Sequence, residues 1–171
     1  MMPRRSVFAL TVVLTFLVAA CAAHGTEDSE NAKLIEALKG ARVSLEAGLS
    51  VSERLGIPIS AEFEIEDGRL ELTVYITKGA ELLDVTVDPK TGVVASVEPI
   101  ADGKEVRLAK GYREAMLKAR VSLRAATEQA VKANPGFRAV SIVPMLKDGH
   151  PVAEVVLFRG QELKEISVAL E

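Results

Sequence analysis

An α+β fold is predicted by three features of this 171-residue chain. Period-2 apolar alternation runs into Asp-Gly turns, helical stripes precede it, and the whole pattern is written twice. Apolar residues make up 49% and charged residues 26%, a balance that excludes a largely disordered or fibrous chain. Aromatics are 4% and Trp is absent, which excludes stacking platforms for bases or sugars. One Cys excludes an internal disulfide and a Cys-rich zinc site, and two His leave little for metal or acid–base chemistry.

The repeat sets the domain plan. Ala41-Arg42-Val43-Ser44-Leu45 recurs as Ala119-Arg120-Val121-Ser122-Leu123, and Asp67-Gly68 recurs as Asp148-Gly149. Residues 67–87 align with 148–168 without a gap, with identities at 7 of 21 positions, against roughly one or two by chance. Two copies are too few for a solenoid. The expected organisation is a signal at 1–20, a polar tether at 21–31, a first unit at 32–98, a linker at 99–111 and a second unit at 112–171.

Each unit opens with a helix. Met116, Ala119, Leu123, Ala126, Ala130 and Ala133 form one stripe at spacings of three and four. Leu38, Ala41, Leu45, Gly48, Ser52 and Leu55 form the matching stripe in the first unit. Gly56-Ile57-Pro58 ends the first helix and Asn134-Pro135-Gly136 the second.

Strands follow. Ala61–Glu66 and Arg69–Ile76 alternate around Asp67-Gly68, a two-residue hairpin signal that pairs Glu66 with Arg69, Ile65 with Leu70 and Phe63 with Leu72. A turn at Lys78-Gly79 is expected to pair Val74 with Leu83, Leu72 with Val85 and Leu70 with Val87. Both turns place the apolar residues on one face, beneath the helix. The other face carries Glu62, Glu64, Glu66, Arg69, Glu71, Thr73 and Tyr75, a pattern that suits water. Each unit is thus expected to be a helix on one face of an antiparallel meander of three to four strands.

The N-terminus reads as an address. Arg4 and Arg5 precede fourteen uncharged residues, Val7–Ala20, short of the roughly 20 needed to span a bilayer. Val18-Ala19-Ala20-Cys21 resembles the lipobox of bacterial lipoproteins, which implies cleavage before Cys21, acylation of its thiol and amine, and a membrane lipid anchor. Ordinary signal-peptidase cleavage at the same small residues is the alternative. In a Gram-negative cell the absence of Asp after Cys21 favours the outer membrane. Cleavage removes two Arg and no acid, so the mature chain is more acidic still, and nucleic acid is set aside as a partner.

The two units together resemble tandem PepSY domains. The second matches at Leu123, Ala126 and Ala130, then Pro135-Gly136, Asp148-Gly149 and Gly160. The first matches at Val85-Thr86-Val87-Asp88 and Thr91-Gly92-Val93-Val94. The second unit has no counterpart of Asp88–Val94, so its last strand is expected to be missing and its edge open. The resemblance implies a non-enzymatic module without a cofactor, whose partner is an envelope protein or peptide, a secreted peptidase among them.

The candidate residues are few. His150 lies at a hairpin tip without a visible partner, and no nucleophile elbow, phosphate loop or metal-spaced His pair accompanies it. No catalytic residue and no metal ligand is assigned. Glu62, Glu64, Glu66 and Glu71 share a strand face, where carboxylates bind a cation or basic peptide or are simply solvated. In the second unit the same face is apolar. Met145 is expected opposite Val152, Ser141 opposite Val156, Ala139 opposite Phe158, and Leu163 opposite Val156. Such a patch marks a partner or homodimer surface, or is covered by the chain's own first unit, linker or tether. The function expected is an envelope-anchored binding or regulatory lipoprotein. Its alternatives are a homodimerising structural protein and a metal- or peptide-binding sensor that uses the acidic face.

Overall fold

Hairpin geometry and one inter-unit pairing build the sheet. The computed structural model describes residues 24–171, with side chains from Glu30 onward. In the first half, helices α1 (His24–Leu38) and α2 (Leu45–Ser52) precede strands β1 (Ile57–Glu66), β2 (Arg69–Lys78), β3 (Glu81–Val87) and β4 (Val94–Pro99). In the second, α3 (Gly103–Lys118) and α4 (Leu123–Ala133) precede β5 (Arg138–Lys147), β6 (His150–Arg159) and β7 (Glu162–Ala169). The strands form one seven-stranded sheet in the order β4-β3-β2-β1-β5-β6-β7, antiparallel throughout. β1 and β5 pair at Ala61 with Ile142 and Glu62 with Ser141, so the two meanders share a sheet rather than standing as separate layers.

The Asp-Gly turns set the first hairpin of each meander. Asp67 and Gly68 have φ of 49° and 74°, and Asp148 and Gly149 have 52° and 84°, the two positive values that a two-residue hairpin loop of this hand requires. Glu66 pairs with Arg69, Ile65 with Leu70 and Phe63 with Leu72, as the turn predicts. The next turn is centred one residue later than the sequence suggested, on Gly79-Ala80. Val74 therefore faces Val85, Leu72 faces Val87 and Ile76 faces Leu83. The slip is even in register, so every side chain stays on its expected face.

The second meander departs further. Met145 pairs with Val152 and Ser141 with Val156, as expected, but Ala139 meets Leu157, because a bulge between Ala139 and Ser141 shifts the register. Leu163 meets Phe158 rather than Val156, since the last hairpin closes at Arg159 and Glu162. An irregularity also falls between Pro58 and Ser60 of β1. The two bulges occupy the same position of the repeat, so they belong to the unit's design.

The repeated Ala-Arg-Val-Ser-Leu segment interrupts the helical stripe in each unit. Ser44 and Ser122 are extended N-caps whose hydroxyls accept from the N–H groups of Ala47 and Ala125. Ahead of the caps, the N–H groups of Arg42 and Val43 donate to the Pro89 carbonyl, and those of Arg120 and Val121 to the Leu170 carbonyl. The motif thus pins the chain to the end of its own meander and launches a fresh helix. One continuous helix per unit was expected from the stripe; the caps divide it into α1–α2 and α3–α4. The expected tether reaches into α1, and most of the expected linker lies in α3.

Helices α2 and α4 lie side by side on the apolar face, tied by Arg124 to Glu53 at 3.0 Å. Their core joins Leu45, Leu49, Phe63, Leu72, Val74 and Val85 to Leu123, Ile142, Ala153, Val155 and Leu157. α2 approaches so closely at Gly48 that a Cβ there would overlap the buried Leu72 side chain. The repeat counterparts of Gly48 and Leu72 are Ala126 and Ala153, so a small–large pair in one unit answers a small–small pair in the other.

That exchange is testable by urea unfolding. Gly48→Ala gains up to about 1 kcal/mol of helix propensity but overpacks by about 1–3 kcal/mol, so it is expected to be net destabilising. Leu72→Ala alone is expected to destabilise by about 2–5 kcal/mol. The double variant is expected to lose at least about 0.5 kcal/mol less than the sum, since one change vacates the space the other needs. Strict additivity would show that the two residues do not compete for volume.

Candidate functional site

The sheet face opposite α2 and α4 holds the unusual chemistry. Period-2 alternation puts Glu62, Glu64 and Glu66 of β1 on this face, with Thr73, Tyr75 and Glu71 of β2 and Asp84 of β3. Sequence reasoning gave this face to water. Instead α3 packs across it, contacting β1, β5 and β6. Ala109 of α3 is fully buried against Ile59 and Tyr75, with Tyr112 and Met116 beside it. Its N-terminus is set by Asp102, whose carboxylate accepts from the N–H groups of Lys104 and Glu105.

Burial under the helix changes the acids. Desolvation, with the charges of Glu64 and Asp84 adding, pushes Glu62 up to about 8. Desolvation and the neighbouring acids Glu64 and Glu105 push Asp84 up to about 7. Glu64 is raised mainly by burial, against a stabilising hydrogen bond from Thr73. Asp84 Oδ1 is buried without a hydrogen-bond partner. Tyr112 of α3, desolvated and close enough to feel Glu62, is pushed up to about 12. Nothing in the alternation of β1 signalled this. The missing signal was the start of a helix at 103–111, a stretch read as linker.

The apolar candidates share the same face in the second unit. Phe158 is buried at 8% exposure, Val152, Val156 and Leu163 are half-buried, and Met145 is 38% exposed. α3 lies against β5 and β6. Residues Asn31, Ala32, Ile35 and Glu36 of α1 enclose with Gln161 and Leu163 a hollow of about 450 Å³. The chain's own helices thus cover much of this patch. Glu165 is raised by desolvation and by a carboxyl–carboxyl contact with Glu154, so the patch is not wholly apolar.

The other candidates stand apart. His150 is exposed at its hairpin tip, with Nδ1 2.8 Å from Glu171 Oε1. Cys21 lies outside the described residues. Among those residues, no set of three or more His, Cys, Asp or Glu side chains is placed to hold a metal ion. No helix among them is long and apolar enough to cross a membrane.

The last feature is an edge. β7 pairs with β6 alone among the described strands. Closure at Arg159 and Glu162 means that Glu162, Lys164, Ile166 and Val168 bond β6, while Leu163, Glu165 and Ser167 turn their backbone groups outward. The donation from Leu170 N–H to the Pro151 carbonyl continues that phase. Their repeat counterparts, Leu82, Asp84 and Thr86, face β4; the Leu82 carbonyl accepts from Ile100 N–H. No described strand fills, in the second unit, the seat that β4 takes in the first.

Compared with known proteins, the chain matches no family model, no curated protein and no solved structure.

The half-buried acids beside α3 make stability depend on pH. Between its ordinary value of 4.5 and about 8, Glu62 is protonated in the folded chain and ionised in the unfolded one. The native state then binds more protons, so unfolding free energy falls as pH rises. The urea midpoint is expected to drop from about pH 5 to about pH 8, and Glu62→Gln is expected to flatten the drop and raise stability at the alkaline end by on the order of 1–3 kcal/mol. An unchanged slope in the variant would show that Glu62 is solvated.

Proposed function

We propose that this chain is a non-catalytic binding module of the bacterial cell envelope, lipid-anchored at Cys21, that takes an extended segment of a partner protein as an added strand on β7. The observation that carries the reading is the unfilled seat beside β7, whose internal counterpart already holds β4. Added strands draw affinity from main-chain hydrogen bonds and selectivity from alternate side chains. The template for the occupant is β4 itself, an antiparallel run of six residues with four of its positions exposed. Half-buried Leu163 and Ile166, on opposite faces of β7, offer apolar contact to alternate partner side chains.

The envelope assignment comes from the resemblance of Val18–Cys21 to a lipobox. The PepSY-like pattern of both units adds a class of partner. Modules of that family in propeptides are implicated in inhibiting or chaperoning a secreted peptidase, and edge addition is a physical route to such an effect. The acidic face is a weaker docking surface than its sequence suggests, because α3 lies over Glu62 and Glu64.

The test uses crosslinking in the native host, with a photoreactive residue replacing Ser167 and mass spectrometry of detergent-extracted product. Crosslinks from β7 to one envelope protein are expected. They should be lost in the variant Leu163→Pro with Glu165→Pro, which removes two outward N–H donors and leaves the ladder to β6 intact. Crosslinks that survive both prolines would refute the edge as the docking site. Crosslinks only between copies of this chain through Val152, Val156 and Phe158 would replace the reading with a dimer seam. The same spectra report whether Cys21 is acylated.

A further inference from the structure

Helix α3 is a strap laid over carboxyl groups. Its two connections are short. Ile100–Asp102 joins it to β4, and Ala119–Ser122, held by the Leu170 carbonyl, joins it to α4. Between those anchors its inner surface is modest, with Ala109 and Ala115 fully buried and Val106, Leu108, Tyr112 and Met116 half-buried. Alanines contribute little apolar area. Beneath the helix lie Glu62 and Glu64 of β1, with Asp84 of β3 alongside, and α3 itself adds Glu105, close enough to act on Glu64 and Asp84.

The charges that act on these carboxyls have one sign. The ionisable groups that act on Glu62 are Glu64 and Asp84. From β1, Glu66 acts on Glu64 and on Asp84; from β2, Glu71 acts on Glu64; from β4, Glu98 acts on Asp84. β5 brings the uncharged Ser141 next to Glu62, and β6 puts Glu154 on this face, in contact with Glu165 of β7. Cations keep to the periphery. Arg69 lies across the strands from Glu66 at the turn and is exposed, Lys104, Arg107 and Lys110 of α3 are exposed, and Arg113 is half-buried. On α1, Lys33 is exposed and Lys39 is paired with Glu36. Asp84 Oδ1 is buried with nothing to donate to it, so ionisation there leaves charge without a partner, whereas Glu64 has Thr73.

We propose that α3 is a proton-gated strap, seated on the sheet while Glu62, Glu64 and Asp84 hold protons beneath it and released when they ionise together. Seating needs neutral acids, since like charges at this spacing in a poorly solvated layer repel one another and the helix's own Glu105. Release hydrates the acids and uncovers Ile59, Tyr75 and the outer surfaces of β1, β5 and β6, while α2 and α4 stay on the opposite face. A fall in pH closes the strap and a rise opens it. This device is independent of the β7 edge.

The chain carries its own reporter. It has no Trp, and its two Tyr, Tyr75 and Tyr112, both lie in this interface. In wild-type protein, acrylamide quenching of tyrosine fluorescence is expected to rise between about pH 6 and pH 9. Over the same range the protection of α3 amides against hydrogen exchange, corrected for the chemical rate, is expected to fall. The fall should approach about tenfold per pH unit for each proton released on opening. Amides of α4 should keep their protection. Glu62→Gln with Asp84→Asn should leave α3 protected and the tyrosines shielded throughout. Wild-type α3 protection that is flat with pH, or α3 and α4 losing protection in step, would overturn the proposal. A folded double variant that retains the wild-type pH response would do so too. If that variant does not fold, the comparison of α3 with α4 in the wild type decides.

Discussion

The pairing of β1 with β5 is the interaction on which the rest of the structure depends. A meander with a helix pair on one face has two options for its first strand, solvent or a neighbour. Here each unit's first strand takes the other's, antiparallel, around Ala61–Ile142 and Glu62–Ser141. That contact removes two exposed edges at once. It merges the apolar surfaces under α2 and α4 into one core, which includes Leu72 and Val74 on one side and Val155 and Leu157 on the other. It also moves strands that would have been edges into the centre of a seven-stranded sheet, where both faces are covered.

The burial of acids follows from that move. Glu62, Glu64 and Glu66 alternate with Ala61, Phe63 and Ile65, which is the pattern of a strand with one wet face. Once β1 is central, α3 crosses it and Glu62 has Tyr112 above it and Glu64 and Asp84 for neighbours. A sheet of this width needs cover on both faces, and the sequence retained charged residues where cover had to go. Apolar residues of the same volume would seat α3 more firmly. Their absence means that the interface is held below its attainable stability, and a layer held in that way responds to proton concentration.

Local chemistry was legible and neighbour choice was not. Asp67-Gly68 and Asp148-Gly149 fixed their hairpins because two positive φ angles leave few alternatives. The turns at Gly79 and Gly160 were placed slightly wrong because one glycine flanked by tolerant residues allows two centrings. The face assignments survived because the shift was even. The bulge near Val140 left no compositional trace, and it moved Ala139 from Phe158 to Leu157. Ser44 and Ser122 stood in plain view as repeated residues, yet their capping role shows only when the helix is seen to restart there. The cover over the acidic face was missed for the same reason. Period-2 alternation reports that one side of a strand is polar, and it is silent on whether that side meets water or a helix.

The symmetry of the repeat is broken in two places, and both are informative. Among the described strands β3 carries β4 and β7 carries no counterpart, so the second unit presents the outward groups of Leu163, Glu165 and Ser167 where the first adds a fourth strand. The outer face is acidic beneath the first unit and mostly apolar beneath the second, where Val156, Phe158 and Leu163 meet no like-charge repulsion when covered. Because α3 crosses both halves, its apolar contacts on β5 and β6 favour seating throughout, whereas the carboxyls of β1 oppose it once ionised. Two nearly equal copies of one unit have thus diverged in the properties that packing leaves free. The shared core keeps Leu45 and Leu123, and Val74 and Val155, alike and apolar, while the far face and the far edge bear no such constraint and are where the two copies differ in chemistry.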